Sequence, residues 1–243
     1  MRLLSRLFLT LLGLAMILGL AECTQIKEVI LPHTELIYPT ETGKFRITLV
    51  QDTSYTSAGK NDPVVDWYYK KETIQETETD LLGRELKKVL AETSPYERGT
   101  DFLFEAFRVL SIYKPQDPGP DYFAERTEEN DRVLLLKFPV HTTVAWNGNL
   151  YNDLGQDNNT NTFYYEEVDT TVTVLGKTYE NCVMVVHEKT DGVIRKAFSY
   201  EIYAPNIGLI KKYINIEVND RAGTDPFNSE ESMIYLEEII DHN

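Results

Sequence analysis

Cysteine is scarce in this chain: its 243 residues include two, Cys23 and Cys182. A disulfide-dense scaffold and a cysteine-rich metal site are both excluded. The four histidines, His33, His141, His187 and His242, are scattered. No two have the i, i+4 or HExxH spacing that places a pair on one helix face to hold zinc. No G-x-S-x-G elbow occurs, and the 13 glycines form neither a phosphate loop nor a dinucleotide fingerprint. No cofactor is therefore expected. Positive charge is short as well, with 24 Lys and Arg against 39 Asp and Glu and a formal charge of −15. Nucleic-acid binding depends on Lys and Arg displacing phosphate counterions, so the balance argues against it. It argues equally against docking on anionic lipid by charge, and solubility is the simpler use of so much acid.

Long apolar runs are missing after residue 21, and the single one before it reads as targeting. Arg2 and Arg6 precede LFLTLLGLAMILGLA, Leu7 to Ala21, which carries no charge. A membrane-spanning helix needs roughly 20 apolar residues; this shorter run suits the h-region of a secretory signal over residues 1–22. Two cleavage readings follow. Leu20-Ala21-Glu22-Cys23 resembles the lipobox of bacterial lipoproteins, whose cysteine carries lipid and becomes the first mature residue. Leu20 and Ala21 fit, while Glu22 stands where Gly, Ala or Ser is usual. Alternatively Gly19-Leu20-Ala21 meets the small-x-small rule, and cleavage leaves Glu22 first. A cysteine at the end of the h-region, in a chain with two, favours lipidation at Cys23 and leaves Cys182 without a partner. Cys182 lies in the apolar run NCVMVVHE, where a thiol packs as a small hydrophobe and its pKa rises, against nucleophilic use. Residues 23–33 then form a lipid-bearing polar tether. The expected address is the cell envelope, at the outer membrane or the periplasmic face.

From residue 34 to 243 the pattern is that of one all-β domain, mostly antiparallel, as a curved sheet, sandwich or half-barrel. β-branched and aromatic residues alternate between turn signals. KFRITLVQD sets Phe45, Ile47 and Leu49 on one face. RVLLLKFPV, apolar on both faces, predicts a central strand closed by Pro139. FYYEEVDTTVTVL, YENCVMVVHEK and IRKAFSYEIYA predict a meander turning at Gly176-Lys177 and at Asp191-Gly192, where a tight hairpin needs positive φ at both central residues. The third of these places Ile194, Phe198, Tyr200 and Ile202 on one face. LIKKYINIEV puts Ile210, Ile214, Ile216 and Val218 together, and SMIYLEEII ends the fold. TDLLGRELKKVLAET is ambiguous over 79–93: Leu82, Leu86, Val89 and Leu90 have helical spacing with Asp80 as a cap, yet Gly83 costs about 1 kcal/mol in a helix.

ERTEENDRVLLLKFPV, WNGNLYN, FYYEEVDTTVTVLGKTYENCVMV and YEIYAPNIGLIKK, taken in series, resemble a family of uncharacterised Bacteroidetes lipoproteins over most of residues 34–218. TDLLGREL resembles that family's turn between two long strands, which implies a hairpin at 79–93. The resemblance implies an all-β fold and an envelope address, and it points to no particular activity.

Candidate chemistry is thin. Asp157, Asn159 and Asn161 fit three positions of an EF-hand loop, but Thr162 replaces its glycine and Val168 its glutamate, so an oxygen-rich surface turn is expected and no metal. His187 alternates with Val185 as a strand residue. Trp67, Tyr68, Tyr69 and Trp146 would make a sugar-stacking platform on an exposed face; among 15 tyrosines, packing is the simpler use. The expectation is a non-enzymatic envelope lipoprotein that binds or scaffolds, its partners being the membrane through covalent lipid and an unidentified protein or apolar ligand. A carrier of an apolar ligand in a half-barrel, with Phe198, Tyr200 and Ile202 lining an open concave surface, is the alternative. A carboxylate-based hydrolase comes third.

Overall fold

The computed structural model describes residues 37–55, 63–80, 83–99, 101–113, 122–128, 131–152, 162–219 and 232–243. Residues 1–22, the tether with Cys23 and His33, and the Asp157 loop lie outside them. The described chain is all-β, a curved antiparallel sheet of twelve strands that is not closed into a barrel. The strands are β1 (Phe45–Ser54), β2 (Val64–Thr79), β3 (Glu85–Pro95), β4 (Glu105–Tyr113), β5 (Tyr122–Glu128) and β6 (Asp131–Phe138). They continue as β7 (Ala145–Asn147), β8 (Thr162–Val174), β9 (Lys177–Asp191), β10 (Arg195–Ala204), β11 (Gly208–Val218) and β12 (Met233–His242). Their order across the sheet is β6-β5-β4-β3-β2-β1-β12-β11-β10-β9-β8-β7. Two six-strand meanders thus join where the first strand pairs with the last, and β6 and β7, consecutive in the chain, become the two edges.

The ambiguous segment is a hairpin. Asp80 accepts from the Arg84 amide at 2.8 Å and Gly83 takes φ 78° between β2 and β3. Leu86 and Val89 are both buried although three residues apart on an unbulged stretch of β3, so they face opposite sides of the sheet, Val89 in the main core and Leu86 outside it. That spacing is what imitated a helix. Two other expectations are corrected. The tight turn with positive φ at both central residues is Leu175-Gly176 (47° and 82°), and Lys177 already opens β9. Asp191 ends β9, and Gly192, Val193 and Ile194 form a longer link closed by the Gly192 amide on the Arg195 carbonyl at 3.0 Å. Ile194 is therefore in the turn and exposed, not on the face of β10.

RVLLLKF is buried on both faces, as its composition requires, yet it is an edge strand and not a central one. Curling of the sheet resolves this: it carries β6 against the 146–152 turn and β8, whose side chains seal the free edge. Asn152 accepts from the Arg132 amide at 2.9 Å and donates to its carbonyl at 3.0 Å. Trp146 Nε1 donates to the Leu134 carbonyl at 2.7 Å, and the Leu134 amide bonds Gly148 at 2.8 Å. Tyr165 Oη serves the amide and carbonyl of Lys137. A side chain at 148 would fall 2.3 Å from the Phe163 ring, so only glycine fits there.

The concave side is filled. Ile74, Val89, Ala91, Leu134, Leu136 and Phe138 from one meander pack with Trp146, Phe163, Tyr165, Val183, Val185 and Tyr203 from the other. A second cluster lies on the opposite face, where Val174, Tyr179 and Cys182 of β8 and β9 meet Ile202, Ile210 and Ile239. Register shifts along β8 and positive φ at Asp169 and Asn181 bend that hairpin, and Lys177 Nζ reaches the Ile240 carbonyl at 2.9 Å. A bulge places Leu209 with the main core and Ile210 with the second cluster. Ile210 consequently does not share a face with Ile214 and Ile216.

Candidate functional site

Charged side chains occupy the middle of the concave side, and they occupy one another. Glu72 on β2 pairs with Arg46 of β1, and its second oxygen receives Arg126 of β5 at 3.2 Å across the interior. Lys70 lies 2.5 Å from Glu237 of β12 and 3.5 Å from Glu72. Thr48 and Tyr235 also donate to Glu237, at 3.0 and 2.8 Å. Burial alone would raise Glu72, but Arg46, Arg126 and Lys70 outweigh it and hold its carboxyl well below the usual range. Glu237 is likewise lowered, against its burial, by Lys70 and Arg46. On β10 burial would raise Glu201, yet Lys212 at 3.0 Å and His187 at 3.5 Å keep it low. These three carboxylates are committed to cations, and none keeps a proton to give to a leaving group.

The sequence-named residues separate. His187 stacks on Phe163, centroids 4.1 Å apart, and its Nε2 lacks a hydrogen-bond partner. Burial pushes its pKa down to about 4 against the pull of Glu201. His141 bonds Thr143 on the surface at 2.7 Å, while His242 ends β12. Cys182 is a buried free thiol whose pKa burial raises to about 11. Among the described residues, no three His, Cys, Asp or Glu gather as a metal-holding group. Ile202 is buried in the second cluster, and Phe198 and Tyr200 stand beside it, turned away from the concave side they were expected to line. A cleft of about 40 Å³ opens near Tyr38, Pro39, Arg46 and Gly208.

Trp67, Tyr68, Tyr69 and Trp146 do not converge. Trp146 is core, 6% exposed. Alternation along β2 turns Tyr68 to the inner face with Lys70 and Glu72, and Trp67, Tyr69 and Lys71 to the outer one. There the segment after β3, a 3₁₀ turn at Tyr96–Arg98 followed by residues 101–104, crosses over them. The Leu103 amide is fastened to buried Ser94 Oγ at 3.0 Å. The result is a strip of rings: Trp67 to Tyr96 5.8 Å, Tyr96 to Tyr69 5.6 Å, Tyr69 to Phe102 4.8 Å, Phe102 to Phe104 5.2 Å. Lys71 Nζ ends it, 5.5 Å from the centroids of both Phe104 and Phe45. Trp67 and Tyr96 are 43% and 46% exposed. Tyr69, Phe102 and Phe104 are half-buried beside this open pair. Pairing continues the row: Trp67 opposes Gln51, Gln51 opposes Leu236, Leu236 opposes Tyr213, and Tyr213 opposes Tyr200.

No protein-family model matches this sequence, and no curated protein matches it. One solved structure, from Bacteroides fragilis and named as an exported protein with YmcC-like fold, is similar at 11% identity with a TM-score of 0.42. That similarity covers 86% of this chain and 99% of the other.

Proposed function

We propose that this chain is an exported, lipid-anchored envelope protein that acts by binding, without catalysis, through the aromatic strip on its outer face. One observation carries the reading: the concave side is filled with packed apolar groups and paired charges, while Trp67, Tyr96 and their neighbours are left open outside. A ligand or partner is thus met on the convex surface and not enclosed. Export and anchoring rest on the h-region from Leu7 to Ala21 and on Cys23 behind it. Two acyl chains or more at Cys23 suffice for stable attachment, at about 0.8 kcal/mol per buried methylene.

A photo-reactive phenylalanine analogue at Val65, exposed on the same face as Trp67, tests the surface in living cells. Illumination is expected to cross-link it to an envelope component, whereas the same probe at exposed Glu166 on β8 gives no adduct. Equal labelling from both positions, or none from either, contradicts the reading.

A further inference from the structure

We propose that the strip binds an uncharged polysaccharide, with sugar rings of one glycan strand stacked along Trp67, Tyr96, Tyr69 and Phe102. The proposal rests on the outer face being the binding surface and specifies the ligand. Shape is the first argument. Four successive ring contacts of 4.8 to 5.8 Å, tilted from one another by 31° to 71°, make a stepped strip and not a pocket. Such a strip suits a linear polymer that presents the same small apolar face at every step. The C–H face of a pyranose meets the electron-rich face of an aromatic ring, while its hydroxyls find the polar groups alongside. Gln51, directly opposite Trp67, supplies an amide on that face.

Charge is the second. Lys71 is 4.0 Å from Glu92 and so is already matched. Glu97 and Asp101 stand exposed beside the rings, and the whole chain carries −15. An acidic polymer, nucleic acid or anionic lipid surface is repelled, and a neutral one is not. Area is the third. At about 200 Å² per ring and under half exposed, five rings offer roughly 300–400 Å², about half of the ~800 Å² per side in a stable protein interface. That suffices for a few sugars and falls short for a second copy of this chain.

Affinity electrophoresis of the full mature protein tests the assignment, in native gels cast with mixed-linkage β-glucan, arabinoxylan or glucomannan. Retardation by at least one is expected, with Trp67→Ala and Tyr96→Ala each weakening it about tenfold or more and Val193→Ala leaving it unchanged. Circular dichroism confirms that each variant keeps its sheet. No retardation in any gel overturns the assignment, as does retardation that survives both ring deletions. If the protein is not retarded but the Val65 probe still captures an envelope protein, the ligand is wrong and the binding face stands. If neither occurs, both fail. A dimer in sedimentation that Trp67→Ala dissociates makes the strip a self-interface and also overturns the glycan.

Discussion

His187 concentrates the energetics of the interior in one side chain. It was legible as a strand residue from its alternation with Val185, but the Phe163 ring beneath it and Glu201 beside it come from strands that only the fold brings near. The folded protein holds it at about 4, below the ordinary 6.5. An unfolded chain therefore takes up a proton as pH falls below 6.5 while the native one does not. Its contribution is fully present above pH 6.5, declines through the window to about 4 and then levels. Over that span the loss is about 3 kcal/mol at 1.36 kcal/mol per unit. Glu72, Glu201 and Glu237, held low, add a further loss at more acid pH. Urea unfolding from pH 7 to pH 5 is expected to show His187→Gln with a distinctly flatter pH profile than the wild type. Parallel profiles contradict the assignment.

At the scale of elements, the seam between β6 and the 146–152 turn replaces a ladder by side chains. Asn152 imitates a neighbouring strand with its amide, and Trp146 and Tyr165 complete the edge. Asn152→Ala removes both bonds to Arg132, at a cost of about 1–3 kcal/mol. Hydrogen exchange at the Arg132 amide is expected to accelerate more than at the Ala124 amide, on the neighbouring strand β5 and outside the seam. Unchanged protection at Arg132 sinks this account of the edge. Most strands were legible, because period-two alternation and turn residues act locally. The rank of RVLLLKF was not: burial on both faces reads as a central strand whether backbone or side chains cover its edge. Bulges were equally silent. Ile210 looked in phase with Ile214 until an extra residue turned it over, and Leu86 with Val89 mimicked a helix because β3 buries a residue on each of its faces. The expected turn in TDLLGREL agrees with the hairpin found there.

For the whole molecule, part of the aromatic strip was readable and part was not. Trp67 and Tyr69 stood out in the sequence together with Tyr68 and Trp146 as a sugar-stacking platform, with packing as the simpler use of all four. Tyr96, Phe102 and Phe104 belong to an irregular crossing with no period to mark them, and Tyr68 and Trp146 were drawn into the interior by the pleat and the seam. The function proposed above attaches this acidic twelve-stranded sheet, with its rings outward, to a membrane; among the described residues no helix is long and apolar enough to cross one. The proposed anchor is lipid on Cys23. Membrane fractionation joined to intact mass, on the wild type and Cys23→Ala, tests this most directly. The wild type is expected in the membrane fraction, beginning at Cys23 with the mass of added acyl chains, and Cys23→Ala without that mass; once its signal is cleaved, the variant is soluble. Wild-type protein that is soluble, begins at Glu22 and carries no acyl mass would contradict the account.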